Sequence, residues 1–279
     1  MMKALRQLFP LVTAAALLLP ASGALAQAQA TEKPFEPTSG QPGKDVVWVP
    51  TPQAMVDRML DIAKVTASDY VIDLGSGDGR TVISAAKRGA RATGIEYNPE
   101  MVELSKRNAA KEGMTEKAVF MKADLFESDF SRATVITMFL LPDINVKLRP
   151  KILDLKPGTR IVSNTFTMGD WKDDETSTVE ESAGCSYYCT AHLWIVPAKV
   201  GGTWHSAQGE LTLKQEYQMV NGTLKSGAGT VGVTNGKLRG ETLTFTAGGS
   251  TYTGKVNGSN IDGVISSGGN STKWTASRR

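Results

Sequence analysis

The hydrophobic pattern divides the chain into two regions. Between residues 52 and 196 short apolar runs alternate with stretches of helical period; from residue 201 apolar positions alternate with Gly, Thr, Ser and Asn. In the first region Pro52 opens a helix to residue 65, with Met55, Met59, Ile62 and Ala63 on one face. This helix is expected to close a sheet edge. Tyr70, Val71, Ile72 and Leu74 predict a buried strand over 69–74, followed by a helix over 81–88 that Gly89 ends. Strands are also predicted over 91–96, 118–121, 133–139 and 158–164, with helices over 99–112, capped by Asn98, and over 141–155. Residues 178–196 predict a closing antiparallel hairpin that carries Cys185 and Cys189. Strands alternating with helices imply a Rossmann-like α/β sheet.

In the second region, residues 200–279, Leu211 and Leu213, then Leu243 and Phe245, mark inward positions of short antiparallel strands. Asn221-Gly222, Asn235-Gly236 and Asn257-Gly258 predict hairpin turns. Residues 236–240 and 258–263 resemble one another as loosely repeated hairpin units. Seven or eight strands between Trp204 and Trp274 imply a small antiparallel β-barrel or sandwich. It holds no catalytic cluster, so binding, docking or stabilisation is expected of it.

Between the first strand and its helix lies Gly75-Ser76-Gly77-Asp78-Gly79. Strand, glycine turn and helix N-terminus let a polar ligand meet backbone N–H groups directly. Gly-x-Gly-x-Gly also occurs in dinucleotide sites. The next strand narrows the choice, because it ends in Glu96, 21 positions after Gly75, where an acid takes ribose hydroxyls. Asp73 precedes the turn; it either caps that turn or meets a positive group on the ligand.

Hydrophobic residues make up 41% of the chain and charged residues 21%, as in ordinary globular proteins. Residues 1–26 read as a secretory signal: Lys3 and Arg6, an apolar run from Leu11 to Leu19, then Ala24-Leu25-Ala26. That run is too short for a stable membrane span. Its removal takes Lys3 and Arg6 and brings the formal charge from +3 to +1, which leaves no electrostatic case for nucleic acid. Residues 27–43 form a Pro/Gln/Gly-rich linker expected to be mobile, and a periplasmic location follows from the signal. Cys185 and Cys189, four positions apart in an exported chain, either close a small disulfide or remain as packed thiols. With His192 and His205 alone, no metal site is expected.

Asp73-Leu74-Gly75-Ser76-Gly77-Asp78-Gly79-Arg80 and Gly94-Ile95-Glu96-Tyr97-Asn98-Pro99 resemble a class I, seven-strand S-adenosylmethionine-dependent methyltransferase. More narrowly they are similar to the FAM173-type protein-lysine methyltransferases and their bacterial relatives. Val49-Pro50-Thr51 resembles the segment before that domain, where Trp48 replaces the usual tyrosine. The resemblance covers about residues 44–198, and the domain is placed at 44–199. It implies S-adenosylmethionine as cofactor, held by Thr51, Asp73, Gly75, Ser76, Gly77, Asp78, Glu96, Asn98, Asp124 and Leu125. Asp124, after the third strand, either accepts from the adenine amine or caps a helix.

The fourth strand ends in Phe139-Leu140-Leu141-Pro142, without the Asn/Asp-Pro-Pro motif of amide and nucleobase enzymes. Trp48, Phe139, Phe166 and Trp171 suit the wall of a channel for an aliphatic amine, with Thr51 and Asn164 as polar groups beside it. Phe166 and Trp171 equally suit ordinary loop packing. The reading is a protein-lysine N-methyltransferase; a small-molecule methyltransferase and a non-catalytic exported scaffold are the alternatives. The sequence carries no statement of oligomeric state.

Overall fold

In the computed structural model the described residues are Met2 and 35–278. Apart from Met2, the signal segment and residues 27–34 of the expected linker lie outside them.

The first sheet has seven strands in the order β3-β2-β1-β4-β5-β7-β6. β1 (Tyr70–Leu74) lies inside it, parallel to β2 (Arg91–Glu96) and to the central strand β4 (Val135–Met138). β3 (Ala118–Lys122) and β5 (Arg160–Asn164) extend the parallel part, and β7 (Thr190–Ile195) and β6 (Glu175–Thr178) add antiparallel strands. β1 and β4 are apolar and buried almost throughout, as strands covered on both faces must be.

Helix α2 (Arg80–Lys87) follows β1, α3 (Pro99–Lys111) follows β2, and α4 (Pro142–Leu153) follows β4. Asn98 caps α3: its side chain accepts from the Glu100 N–H at 2.9 Å, and Pro99 presets the first turn. Helix α1 (Gln53–Ile62) buries Met55, Met59 and Ile62. It packs over β5, β6 and β7 and against α2, so it covers a face of the sheet rather than closing an edge. The two cysteines differ from expectation in place. They lie in the connection between β6 and β7, not on the strands, and they are bonded to each other.

The second region is a closed barrel of β8 (Gly202–Ser206), β9 (Gly209–Glu216), β10 (Met219–Ser226), β11 (Gly229–Arg239), β12 (Thr242–Ala247), β13 (Ser250–Asn257), β14 (Asn260–Ser267) and β15 (Asn270–Ser277). β15 returns to β8, which removes the free edges. Inside, the Phe245 and Tyr252 rings stack at 4.7 Å, and Trp274 meets both edge-on at 5.7 and 5.3 Å. Side chains fill this interior.

Two of the Asn-Gly pairs are not turns. Asn221-Gly222 and Asn235-Gly236 lie inside β10 and β11, where the register shifts. A Cβ on Gly222 would stand 1.9 Å from the Thr212 carbonyl oxygen, and one on Gly236 2.2 Å from that of Val220. These glycines serve close backbone approach at bulges. Only Asn257-Gly258 reaches a turn, and there the loop is Gly258-Ser259. Residues 236–240 end a strand whereas 258–263 begin one, so the expected repeat is not structural.

The Tyr217-Gln218 hairpin docks the barrel on the sheet. The Trp171 indole N–H donates to Gln218 Oε1 at 2.9 Å, and the Tyr217 ring stacks on Trp171 at 5.9 Å. Gln218 Nε2 donates to the Lys172 carbonyl at 2.7 Å, and the Tyr217 hydroxyl to Asp170 at 2.9 Å.

Candidate functional site

At the carboxyl ends of β1, β2 and β4 the sheet opens into a cavity of about 500 Å³. Open α/β sheets bind ligands at this edge. The glycine turn forms its floor. The Gly75 and Ser76 N–H groups donate to the Ile95 carbonyl at 2.9 and 3.1 Å, which pins the turn to the end of β2. Gly77 has φ +52°, and a Cβ there would stand 2.6 Å from Trp48 Nε1. The indole of Trp48 therefore lies directly on the turn, and only glycine fits beneath it.

Glu96 stands beside this floor. One carboxylate oxygen accepts from the Gly77 N–H at 2.9 Å, the other from the Asn98 N–H at 2.9 Å. Asp73 is buried within the cavity wall and accepts from the Thr137 hydroxyl at 2.6 Å. Burial pushes its carboxyl up to about 7, helped by the charges of Glu96 and Asp78 and opposed by the Thr137 hydrogen bond. Ser76 lines the cavity; its Oγ is buried against Gly94 and has no hydrogen-bond partner. A glycine turn that only glycine fits, beside the carboxylates of Glu96 and Asp73, suits a polar ligand such as S-adenosylmethionine.

Two expected ligand-binding groups are already engaged. Asp78 lines the cavity, but its carboxylate takes the Arg80 guanidinium at 2.6 Å. Arg80 in turn donates to the Thr51 carbonyl at 2.8 Å, tying the Val-Pro-Thr segment to the glycine turn. This clamp was not read from the sequence; its signal was the Asp-x-Arg spacing at the helix start. Asp124 lines the cavity with Leu125, forms an ion pair with Lys44, and accepts from the Phe126 N–H at 2.9 Å. The Lys44 hydrogen bond holds its carboxyl below the usual range. Gly40 and Trp48 pair through their backbones, and Gln41, Pro42 and Gly43 reach the cavity. Part of the expected linker is thus an ordered strap over the site.

Phe139 and Phe166 line the far end, 5.9 Å apart and nearly parallel. Asn145 of α4 holds the Phe166 loop, donating to the Phe166 and Thr167 carbonyls at 3.2 Å each. Thr51 lines the cavity; Asn164 does not. It is fully buried at the end of β5, with its Oδ1 accepting from the Thr165 hydroxyl at 3.0 Å. Trp171 is also absent from the wall, because the barrel hairpin covers it.

The family model of the ANTKMT methyltransferase domain matches residues 73–175, which span β1 to the start of β6. A protein-lysine N-methyltransferase of Saccharolobus islandicus is 48% identical over 154 residues, 54% of this chain and 94% of that protein. The chain belongs to this methyltransferase family. A solved family structure, an RNA methyltransferase from Salinibacter ruber in complex with S-adenosyl-L-homocysteine, superposes with a TM-score of 0.51 at 46% identity. It covers 55% of this chain and 96% of that one. An adenine nucleotide translocase lysine N-methyltransferase of Mus musculus is 34% identical over 46% of this chain, and the match spans 56% of that enzyme's length. In family terms, the matched residues 73–175 include the glycine turn, Glu96, Asp124 and both phenylalanines, and stop before the barrel.

Proposed function

We propose that the chain is an S-adenosylmethionine-dependent protein-lysine N-methyltransferase. The observation that carries this reading is one cavity with two unlike ends: a glycine turn flanked by Glu96 and Asp73, and an aromatic mouth at Phe139 and Phe166. The lysine-methyltransferase relatives support the acceptor. So does Phe139-Leu140-Leu141-Pro142, which offers no amide or carboxylate to a nucleobase.

S-adenosylmethionine, when bound, supplies a methyl group already activated on a sulfonium. The chain's residues position, exclude water and select. Glu96 would receive the cofactor's ribose hydroxyls, and Asp73 would face its positive charge. Thr51, fixed through its carbonyl by Arg80, lines the same cavity. A lysine amine must lose its proton before it attacks, and burial away from water favours the neutral form.

Residues 1–26 and the bonded cysteine pair support export to an oxidising compartment such as the periplasm. N-terminal sequencing of the exported chain should begin at residue 27; a chain retaining Met1 would count against export.

Labelled S-adenosylmethionine is incubated with the protein and an envelope extract, with and without added RNA. Label on protein lysines supports the proposal. Label in RNA would favour the acceptor class of the Salinibacter relative, and label only in small molecules a metabolite enzyme. Cofactor binding without transfer would favour a scaffold.

A further inference from the structure

A third ring completes the cavity mouth, and it comes from a part of the chain outside the cofactor motifs. Tyr188 lies between β6 and β7, with ring centroids 5.1 Å from Phe139 and 6.0 Å from Phe166. It is tilted against both, by 60° and 50°, so it packs across the stacked Phe139–Phe166 pair and the three rings form one aromatic cluster on the cavity wall. All three line the cavity. Tyr188 remains 42% exposed, so a ligand entering the cavity can reach it.

The backbone beneath it is held. Tyr188 has φ +57°, a conformation a tyrosine adopts at a cost. Cys185 is 2% exposed within the core that Val179, Ala191 and Leu193 share, and it is bonded to Cys189, the residue after Tyr188. The bridge closes a loop of three residues whose buried end is fixed, and Tyr188 is the one that turns into the cavity.

An aromatic collar of this kind, lining a cavity and exposed at Tyr188, takes a cation on an apolar stem. We infer that Tyr188 is a specificity-determining residue that receives an alkylammonium-bearing acceptor together with Phe139 and Phe166. The Cys185–Cys189 bridge acts through Tyr188 as its positioning device. This rests on the amine-methyltransferase reading for the charge of the acceptor, and deepens it by naming what selects that charge.

Two probes separate the inference from the reading beneath it. The first is n-butylammonium, titrated calorimetrically into protein saturated with S-adenosylhomocysteine. Wild type should bind it, and Tyr188→Ala should weaken binding about tenfold. Tyr188→Phe should stay within about twofold, since it keeps the ring face. The affinity for S-adenosylhomocysteine should not move in either variant. No binding by wild type, or equal binding by Tyr188→Ala, overturns the collar.

The second probe is acetyl-lysine methylamide as methyl acceptor. Its KM should rise with Tyr188→Ala while kcat changes less. The double variant Cys185→Ser/Cys189→Ser should raise KM in the Tyr188 background and add nothing in the Tyr188→Ala background. An equal added rise in both backgrounds would show that the bridge acts on the loop at large, and would overturn its positioning role. If the lysine probe is not methylated while n-butylammonium still depends on Tyr188, the lysine reading fails and the collar stands.

Discussion

Inside the barrel, Trp204, Leu238, Phe245, Tyr252 and Trp274 fill the space the strands enclose, and among the described residues no charged side chain is buried with them. Inside the sheet, Asp69, Asp73, Ser76, Thr137, Asn145, Ser163 and Asn164 are buried alongside the apolar residues. Gln218 is the buried polar residue of the barrel, and it serves the sheet. Burying an unpaired polar group costs roughly 1–3 kcal/mol, so a fold keeps such groups where partners or ligands offset it. The barrel's interior is therefore spent on its own stability, while the sheet buries the polar groups of the candidate site. The barrel meets that site indirectly, by covering Trp171 just beyond the Phe166 loop.

The largest effect expected is at that junction. Trp171→Ala should destabilise the chain by about 3–5 kcal/mol, because it removes a fully buried ring and strands Gln218. Denaturant unfolding measures this. A loss under about 1 kcal/mol with a raised acceptor KM would instead return Trp171 to the channel and break the division between the regions.

Glu96→Ala tests the other side. It should weaken cofactor binding by about 1–3 kcal/mol, the cost of leaving a buried hydroxyl pair without its charged partner. Its effect on unfolding should be smaller than that of Trp171→Ala. Unchanged affinity in a folded variant would remove Glu96 from the site.

Asp73 carries the pH dependence of the sheet. Its carboxyl sits at about 7 in the fold against an ordinary 3.8. A raised carboxyl favours the folded state fully below the ordinary value, and that advantage is lost as pH rises through the folded one. Wild type should thus lose stability relative to Asp73→Asn between about pH 4 and pH 7, then run parallel to it. Cofactor affinity should move the opposite way, rising toward pH 7 as the carboxylate ionises beside the ligand's positive charge. Calorimetry in buffers of different ionisation enthalpy should then show proton release on binding near pH 6. A flat profile in wild type would leave Asp73 as a cap on the turn.

The same contrast explains what the sequence conveyed. The parallel sheet, the glycine turn and the Asn98 cap were legible because each is set by neighbours within a few residues. Barrel strands were legible from alternation. Trp171 was not, because its partner Gln218 lies 47 positions away. Asn221-Gly222 and Asn235-Gly236 misled for a related reason. The dipeptide reports a need for backbone room, and in a barrel a bulge has that need as much as a turn. Tyr188 carried no signal of its own; the spacing of Cys185 and Cys189 around it did.

The smallest effect concerns the strap. Lys44 pairs with Asp124 and lies 4.6 Å over the Tyr97 ring, both at the end of the cavity where adenine is expected. If Asp124 accepts from the adenine amine, the ligand and Lys44 compete for one carboxylate. Lys44→Met keeps the apolar stem and removes the competing charge, so cofactor affinity should tighten, by no more than about threefold because the pair is partly exposed and screened. Stability should hardly change. Titration at low and high salt sharpens the test: added salt weakens the Lys44 pair in wild type and should narrow the gap between the two proteins. A weaker affinity in Lys44→Met would mean that the lysine holds the strap closed over the cofactor, and that Asp124 serves the strap rather than the adenine.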